Sequence, residues 1–429
     1  MRENPLAHSP IPAWRRLPAN CLSTSSHRHG DDMAGQILAG IRVLELGQLI
    51  AGPFAAKTLA DFGAQVIKIE PPGQGDPLRK WRLLHEGTSV WWEAQSRNKQ
   101  SVCVDLRQPE GQDLVRQLAA QADVLIENFR PGTMEKWGLS WETLHALNPR
   151  LIMLRISGYG QTGPKAQEPG FAAIGEAMAG LRYLNGEPGR APVRAGLSLG
   201  DTIAGLHGAM GVLLALYQRD ARGGQGQVID AALYESIFNL SESLLPEYSV
   251  FGAVREPAGA ALPGIAPSNA YPCRDGYVLI AGNGDAIFQR LMQRIGRADL
   301  GADPDLAHND GRARRAHELD AVIGAWTAQR DIDGVLDAMR EAGVPAGRIY
   351  SVADIAQDPH YRARGAIASL RAASGIDVEM PAVFPCLSDN PGAIRERAPQ
   401  LGEHTDAVLQ AAGLDEQQRA GLRARGVIA

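Results

Sequence analysis

The residue type best placed to do covalent chemistry is the glycine-bracketed acid in Arg194-Ala-Gly-Leu-Ser-Leu-Gly-Asp201-Thr-Ile-Ala-Gly-Leu-His-Gly-Ala-Met-Gly211-Val-Leu-Leu-Ala-Leu216. From Asp201 onward the pattern is helical and rich in Gly and Ala, which lets a helix approach other backbone closely. Asp201 falls at or near the N-cap, where a side-chain oxygen accepts the first free N–H groups. A carboxylate nucleophile is the other reading, because a helix N-terminus favours the anion and keeps it aimed at a carbonyl. Spacing alone leaves both open. His207 lies nearly two turns on and off that face. Glu176 and Glu187 are candidate bases that read by default as solvated. Lys99, Arg107, Arg130, Lys136 and Lys165 put positive charge on or near loops, where it suits a phosphate. No nucleophile elbow, H-E-x-x-H, Walker loop or paired Cys cluster is present.

Such residues need a scaffold that brings loops together. Gly40-Ile-Arg-Val-Leu-Glu-Leu-Gly47 reads as a strand, 48–53 as a loop, 54–62 as a helix and Ala64-Gln-Val-Ile-Lys-Ile-Glu70 as a second strand. This βαβ unit implies an α/β fold with a parallel doubly wound sheet. The first loop has only Gly47 and Gly52, not G-x-G-x-x-G, so nicotinamide binding is poorly supported and Glu70 reads as a solvated strand end. Further strands are expected over 100–106, 123–127, 150–156 and 227–231, and a helix over 109–121 with Pro109 in its first turn. Ser157-Gly-Tyr-Gly-Gln-Thr-Gly-Pro164 is a glycine-rich loop on the rim where open α/β sheets bind ligands. A long helix from Leu233, a Pro/Gly/Ala-rich linker over 254–267, a hairpin over 269–281 and helices over 286–295, 317–329 and 331–342 follow. Residues 354–364 and the strand-like 376–384 return the chain to its first domain. The expected divisions are a tail over 1–33, a large domain over 34–228 and 365–429, a helix and linker over 229–268, a small α+β domain over 269–345 and a return linker over 346–364.

Bulk composition narrows the class. Hydrophobic residues at 45% and charged residues at 21% of 429 describe an ordinary globular protein. A net charge of −5 with interspersed signs implies neither a nucleic-acid nor a membrane-surface partner. Cys21, Cys103, Cys273 and Cys386 lack zinc or disulfide spacing, from which a reducing cytoplasm and no metal site are expected. No apolar run approaches the ~20 residues that span a bilayer, and 206–217 reads as a buried helix. The first 33 residues, with four prolines, His27 and His29, show no apolar periodicity, and Met33 is a candidate start.

Val43-Leu-Glu-Leu with Ala51-Gly-Pro53, Gly63-Ala-Gln-Val-Ile-Lys-Ile-Glu70, Arg97-Asn-Lys99, Glu127-Asn-Phe-Arg-Pro-Gly132, Gly158-Tyr-Gly-Gln-Thr-Gly-Pro164, Gly200-Asp201 and Leu401-Gly-Glu-His-Thr405 occur in that order. Together they resemble the family III CoA-transferases, which include formyl-CoA transferase and the carnitine CoA-transferases. The resemblance implies a large Rossmann-like CoA-binding domain from both chain ends, a small middle domain and an interlocked homodimer. It implies that Asp201 is the catalytic nucleophile, passing through acyl-aspartyl and aspartyl-CoA intermediates with an acyl-CoA donor and a carboxylic acid acceptor. The family's CoA contacts fall on Ile50, Ala51, Val104, Asp105, Leu106, Arg107, Asn128, Phe129, Arg130 and Lys136; substrate contacts are expected at Phe171, Gly282 and Gly284. Pro71 and Ile50 depart from an arginine and a glutamine of formyl-CoA transferase. The phrases Gly175-Glu-Ala-Met-Ala-Gly-Leu-Arg-Tyr and Ala281-Gly-Asn-Gly284 are closer to relatives that handle succinyl-CoA and dicarboxylates.

Two rival readings remain from the sequence. An α-methylacyl-CoA racemase of the same fold carries Gly-His-Asp where this chain has Gly170-Phe171-Ala172, so the base for α-proton abstraction is missing. A non-catalytic acyl-CoA-binding protein is disfavoured by an Asp201 retained among glycines.

Overall fold

The computed structural model describes residues 36–429; the expected tail over 1–33, with Cys21, His27 and His29, lies outside them. The chain forms two compact units. The first takes the chain up to Met178, Ser198–Leu240 and Pro359–Ala429; the second takes Ala179–Leu197 and Ser241–Asp358.

The first unit is built on β1 (Arg42–Glu45), β2 (Gln65–Glu70), β3 (Lys99–Cys103), β4 (Val124–Glu127), β5 (Ile152–Ser157) and β6 (Val228–Ala232). Their order is β3-β2-β1-β4-β5-β6, with every neighbouring pair parallel. This is the order of doubly wound nucleotide-binding sheets. Helices α1 (Ala51–Asp61), α2 (Pro109–Ala119), α3 (Ala172–Met178) and α4 (Leu199–Ala221) join it. Successive strand residues point to opposite faces, and both faces are buried, as a parallel sheet requires. Val43, Val124, Ile126, Ile152 and Leu154 pack with α1 and α4, whereas Leu44, Leu125 and Met153 pack with Leu114, Val115, Leu118 and the C-terminal Val408 and Leu409. The Leu401–Thr405 motif covers the edge of β3. The His404 backbone N–H donates to Ser101 O at 2.9 Å, and Cys103 N–H donates to Thr405 Oγ1 at 3.1 Å. An exposed edge is thereby closed to stray pairing.

Two expectations need correction here. The helix over 206–217 is buried on one face only: α4 runs 23 residues, long and apolar enough to cross a membrane, yet its inner face packs into the core while Leu206, Met210, Leu213, Leu214 and Tyr217 are exposed. The long helix from Leu233 is broken into Leu233–Phe238 and Leu244–Phe251, because Glu242 takes a left-handed φ of 49° between them. The strand-like 376–384 lies in the first unit, where Asp377–Pro381 pairs antiparallel with Ile367–Arg371.

The second unit holds β7 (Ser268–Cys273), β8 (Gly276–Ala281) and β9 (Ala346–Arg348), ordered β9-β8-β7 and antiparallel. Tyr271, Val278 and Ile280 face Phe288, Leu291, Leu319, Ile323 and Val335 of its helices.

Candidate active site

The strand order reverses between β1 and β4, and ligands of open α/β sheets bind outside the carboxyl ends at such a point. The loops leaving these two strands border the crevice and clamp each other. Gln48 N–H donates to Asn128 Oδ1 at 2.7 Å, and Asn128 Nδ2 donates to Gln48 O at 2.8 Å. Gly47 permits this approach, since a Cβ there would lie 3.2 Å from Asn128 Oδ1. Ile50, Ala51, Asn128, Phe129 and Arg130 are thus gathered at one place. Ile50 and Ala51 are buried, so what they can offer a ligand is backbone at the head of α1, whose first turn holds no acidic residue. Such a terminus favours an anion or a polarised oxygen.

The turn after β4 is held from below. Glu127 accepts Phe129 N–H at 2.7 Å and Arg155 Nε at 2.8 Å. Burial pushes its carboxyl up to about 7 against the opposing pull of Arg155. The Phe129 ring meets Trp137 edge-on at 5.1 Å and 82°. Arg130 donates to Gln167 O, and Lys136 ends the short helix Thr133–Lys136 in an exposed position.

Asp201 stands in the first turn of α4, the helix that packs on α1. Ser198 is the N-cap, so Asp201 is the third helical residue rather than the cap, still within the turn where the dipole favours its charge. Gly205 lies one turn on and on the same face. A Cβ at Gly205 would sit 2.7 Å from Ala51 O, so α4 rests directly on the start of α1. A Cβ added at Gly200 would lie 3.1 Å from that of Ala172, so the head of α4 also lies close to the residue after the exposed Phe171. Glu176 is not solvated: it is 1% exposed and accepts Gly200 N–H at 3.2 Å.

Other expected positions behave differently. Val104 to Arg107 follow β3, two strands from β1, which is roughly 10 Å at normal strand spacing. There Asp105 is bonded to the Arg107 guanidinium (2.8 Å) and to Arg107 N–H (3.0 Å), with Val427 O accepting Asp105 N–H at 2.9 Å. The Arg107 hydrogen bond, over the contrary effect of burial, holds the Asp105 carboxyl down to about 2. The Val104 side chain is buried; Leu106 and the exposed Arg107 remain accessible. Lys99 is not a surface charge: it is 2% exposed and bound to Glu45 (2.8 Å) and Pro53 O (2.9 Å). Lys165 pairs with Glu168 at 3.2 Å. Glu70, expected at a solvated strand end, is 1% exposed and holds Arg79 with both oxygens at 2.8 Å. In the second unit Gly282 is buried against Leu291 and Pro267, and Gly284 is the N-cap of the helix Asp285–Arg294.

The profile of CoA-transferase family III matches residues 38–405. The chain belongs to this family. It is 48% identical over 394 residues, 91% of this chain and 98% of the relative, to the succinyl-CoA–D-citramalate CoA-transferase of Chloroflexus aurantiacus. The alpha subunit of the succinyl-CoA–L-malate CoA-transferase of Chloroflexus aurantiacus is 43% identical over 91% of this chain and 92% of its own length. Among solved structures, a CAIB/BAIF family protein from Brucella suis superimposes with a TM-score of 0.79 at 36% identity, over 88% of this chain and all of that one. As a family III CoA-transferase the protein is an enzyme that acts on CoA thioesters.

The sequence missed Lys68 and Asp76, which lie beneath the turn after β1. The one local signal was Asp76-Pro77, a helix start; nothing in the sequence paired it with residues far along the chain.

Proposed function

We propose that this family III CoA-transferase moves CoA from succinyl-CoA to a C4–C5 dicarboxylic acid, with Asp201 as the covalent carrier. The observation that carries this reading is the position of Asp201 in the first turn of α4, one helical turn before the glycine that rests on Ala51. The names of the relatives support the substrate class: citramalate, malate, mesaconate and glutarate are the acids in them, beside succinyl-CoA or succinate.

In the proposed cycle a carboxylate oxygen of Asp201 attacks the thioester carbon and expels CoA thiolate, leaving a mixed anhydride. The thiolate then attacks the Asp201 carbonyl and releases succinate, which leaves an aspartyl-CoA thioester. The acceptor carboxylate attacks that thioester, and the freed thiolate takes the acceptor acyl group from the second anhydride, restoring Asp201. Four easier acyl transfers replace one hard exchange. Backbone N–H groups at the head of α1 and on the glycine loops suit the oxyanions that form. The exposed apolar face of α4 supports pairing with a second copy of the chain, and the free thiols of Cys103 and Cys273 fit a reducing cytoplasm.

The test is succinyl-CoA presented with a panel of carboxylates, following acyl-CoA products by mass, for the wild type and Asp201→Ala. Loss of transfer with retained CoA binding is expected, and hydroxylamine should trap an activated acyl group on the wild type alone. Unchanged turnover in Asp201→Ala would refute the nucleophile.

A further inference from the structure

The turn between β1 and α1 contains a non-glycine residue, Leu49, in the left-handed region at φ 63°. A leucine is strained there by about 1–2 kcal/mol, so something must hold it. The holder is a buried carboxylate: Asp76 Oδ1 accepts Leu49 N–H at 3.0 Å, and Oδ2 lies 3.2 Å from the same nitrogen. Asp76 is itself fixed from two sides. Oδ1 also accepts Leu78 N–H at 2.9 Å, and Oδ2 faces Lys68 Nζ at 2.8 Å.

Lys68 ties the same turn a second time. It is fully buried, donates to Gly47 O at 2.7 Å and pairs with Glu45 at 2.8 Å. Burial opposes charge on both partners, but the surrounding opposite charges prevail: Asp76, Glu45 and Glu70 raise the Lys68 ammonium, and Lys68 lowers the Asp76 carboxyl. A desolvated pair of this kind contributes little net stability compared with well-packed apolar residues. Its geometric consequence is specific, because it fixes Gly47 O and Leu49 N–H and so the direction from which the chain enters Ile50 and Ala51 of α1.

We propose that Asp76, with Lys68 as its counter-charge, is a positioning residue for acyl-CoA: it holds Leu49 left-handed so that the backbone of Ile50 and Ala51 stays at the crevice. The assignment rests on the reading of that crevice as the CoA site. A carboxylate is needed because acceptors are required on both sides. An amide at position 76 has only one acceptor oxygen: at the Oδ1 place its NH2 is turned on Lys68, and at the Oδ2 place its NH2 is turned on the N–H groups of Leu49 and Leu78.

The experiment compares wild type, Asp76→Asn, Asp76→Asn with Leu49→Gly, and Leu144→Ala, a core truncation on the opposite face of the sheet that serves as a stability control. Steady-state kinetics with succinyl-CoA, calorimetric CoA binding and thermal midpoints are measured. Asp76→Asn should raise KM and the CoA Kd about tenfold with kcat within about threefold. Glycine at 49 adopts the left-handed turn without strain and should recover most of that loss. Leu144→Ala should lower the midpoint without moving KM. Asp76→Asn with unchanged KM and Kd, or a shift matched by Leu144→Ala, or no recovery with glycine, would each overturn the assignment. A wild type that binds no CoA would instead bring down the functional reading beneath it.

Discussion

A missing Cβ decides how near the first turns of α4 stand to α1. At Gly205 the added atom would meet a backbone oxygen 2.7 Å away, which cannot swing aside as a side chain could. Gly205→Ala must therefore push α4 off α1, and overpacking of this sort costs about 1–3 kcal/mol. On the proposed mechanism its larger effect should be on rate, since displacing Asp201 would misalign attack. A fall of about tenfold or more in kcat/KM is expected. Gly347→Ala, where nothing lies within 4 Å, should leave both thermal midpoint and kinetics unmoved.

Among elements, the two loops at the reversal of strand order act as one piece because of Asn128. Asn128→Ala removes both hydrogen bonds to Gln48 and leaves a half-buried N–H and C=O to find water, a loss of about 1–3 kcal/mol. Denaturant titration should register that loss, and CoA affinity should weaken with it. Beneath the same loops Lys99 supplies a pH signature. Burial, with repulsion from Lys68, outweighs Glu45 and brings its ammonium down to about 8 from an ordinary 10.5. Between those two values the unfolded chain binds more protons than the folded one, so Lys99 makes stability rise with pH across that window. Below pH 8 both forms are protonated and the term is flat. The unfolding free energy of wild type should gain on that of Lys99→Met between pH 8 and 10; parallel curves would contradict the shift.

For the molecule as a whole, Leu206, Met210, Leu214 and Tyr217 recur at helical spacing on the outer face of α4 and are exposed. We propose this apolar stripe as the face that pairs with a second copy of the chain. The protein should sediment as a dimer at micromolar concentration, and Leu214→Glu should yield monomers by light scattering. A Leu214→Glu protein of unchanged mass would show that this face is not the one that pairs.

Period and punctuation are local properties, and they made much of this protein legible in its sequence. Runs of Val, Ile and Leu marked β1, β2, β4 and β5. Glycines bracketing Asp201 marked the head of α4, and the ordered short motifs pointed to the transferase family. What the sequence could not carry was the pairing of polar groups distant along the chain. Glu70 looked solvated until Arg79 folded onto it, Glu176 until the head of α4 came to it, and Lys99 until Glu45 closed over it. The break at Glu242 was equally hidden, because the residues on both sides of it are helical by composition. Only the packed structure decides which buried charge meets which and which backbone strain is held, since desolvation makes each such group depend on the one partner that tertiary contact supplies.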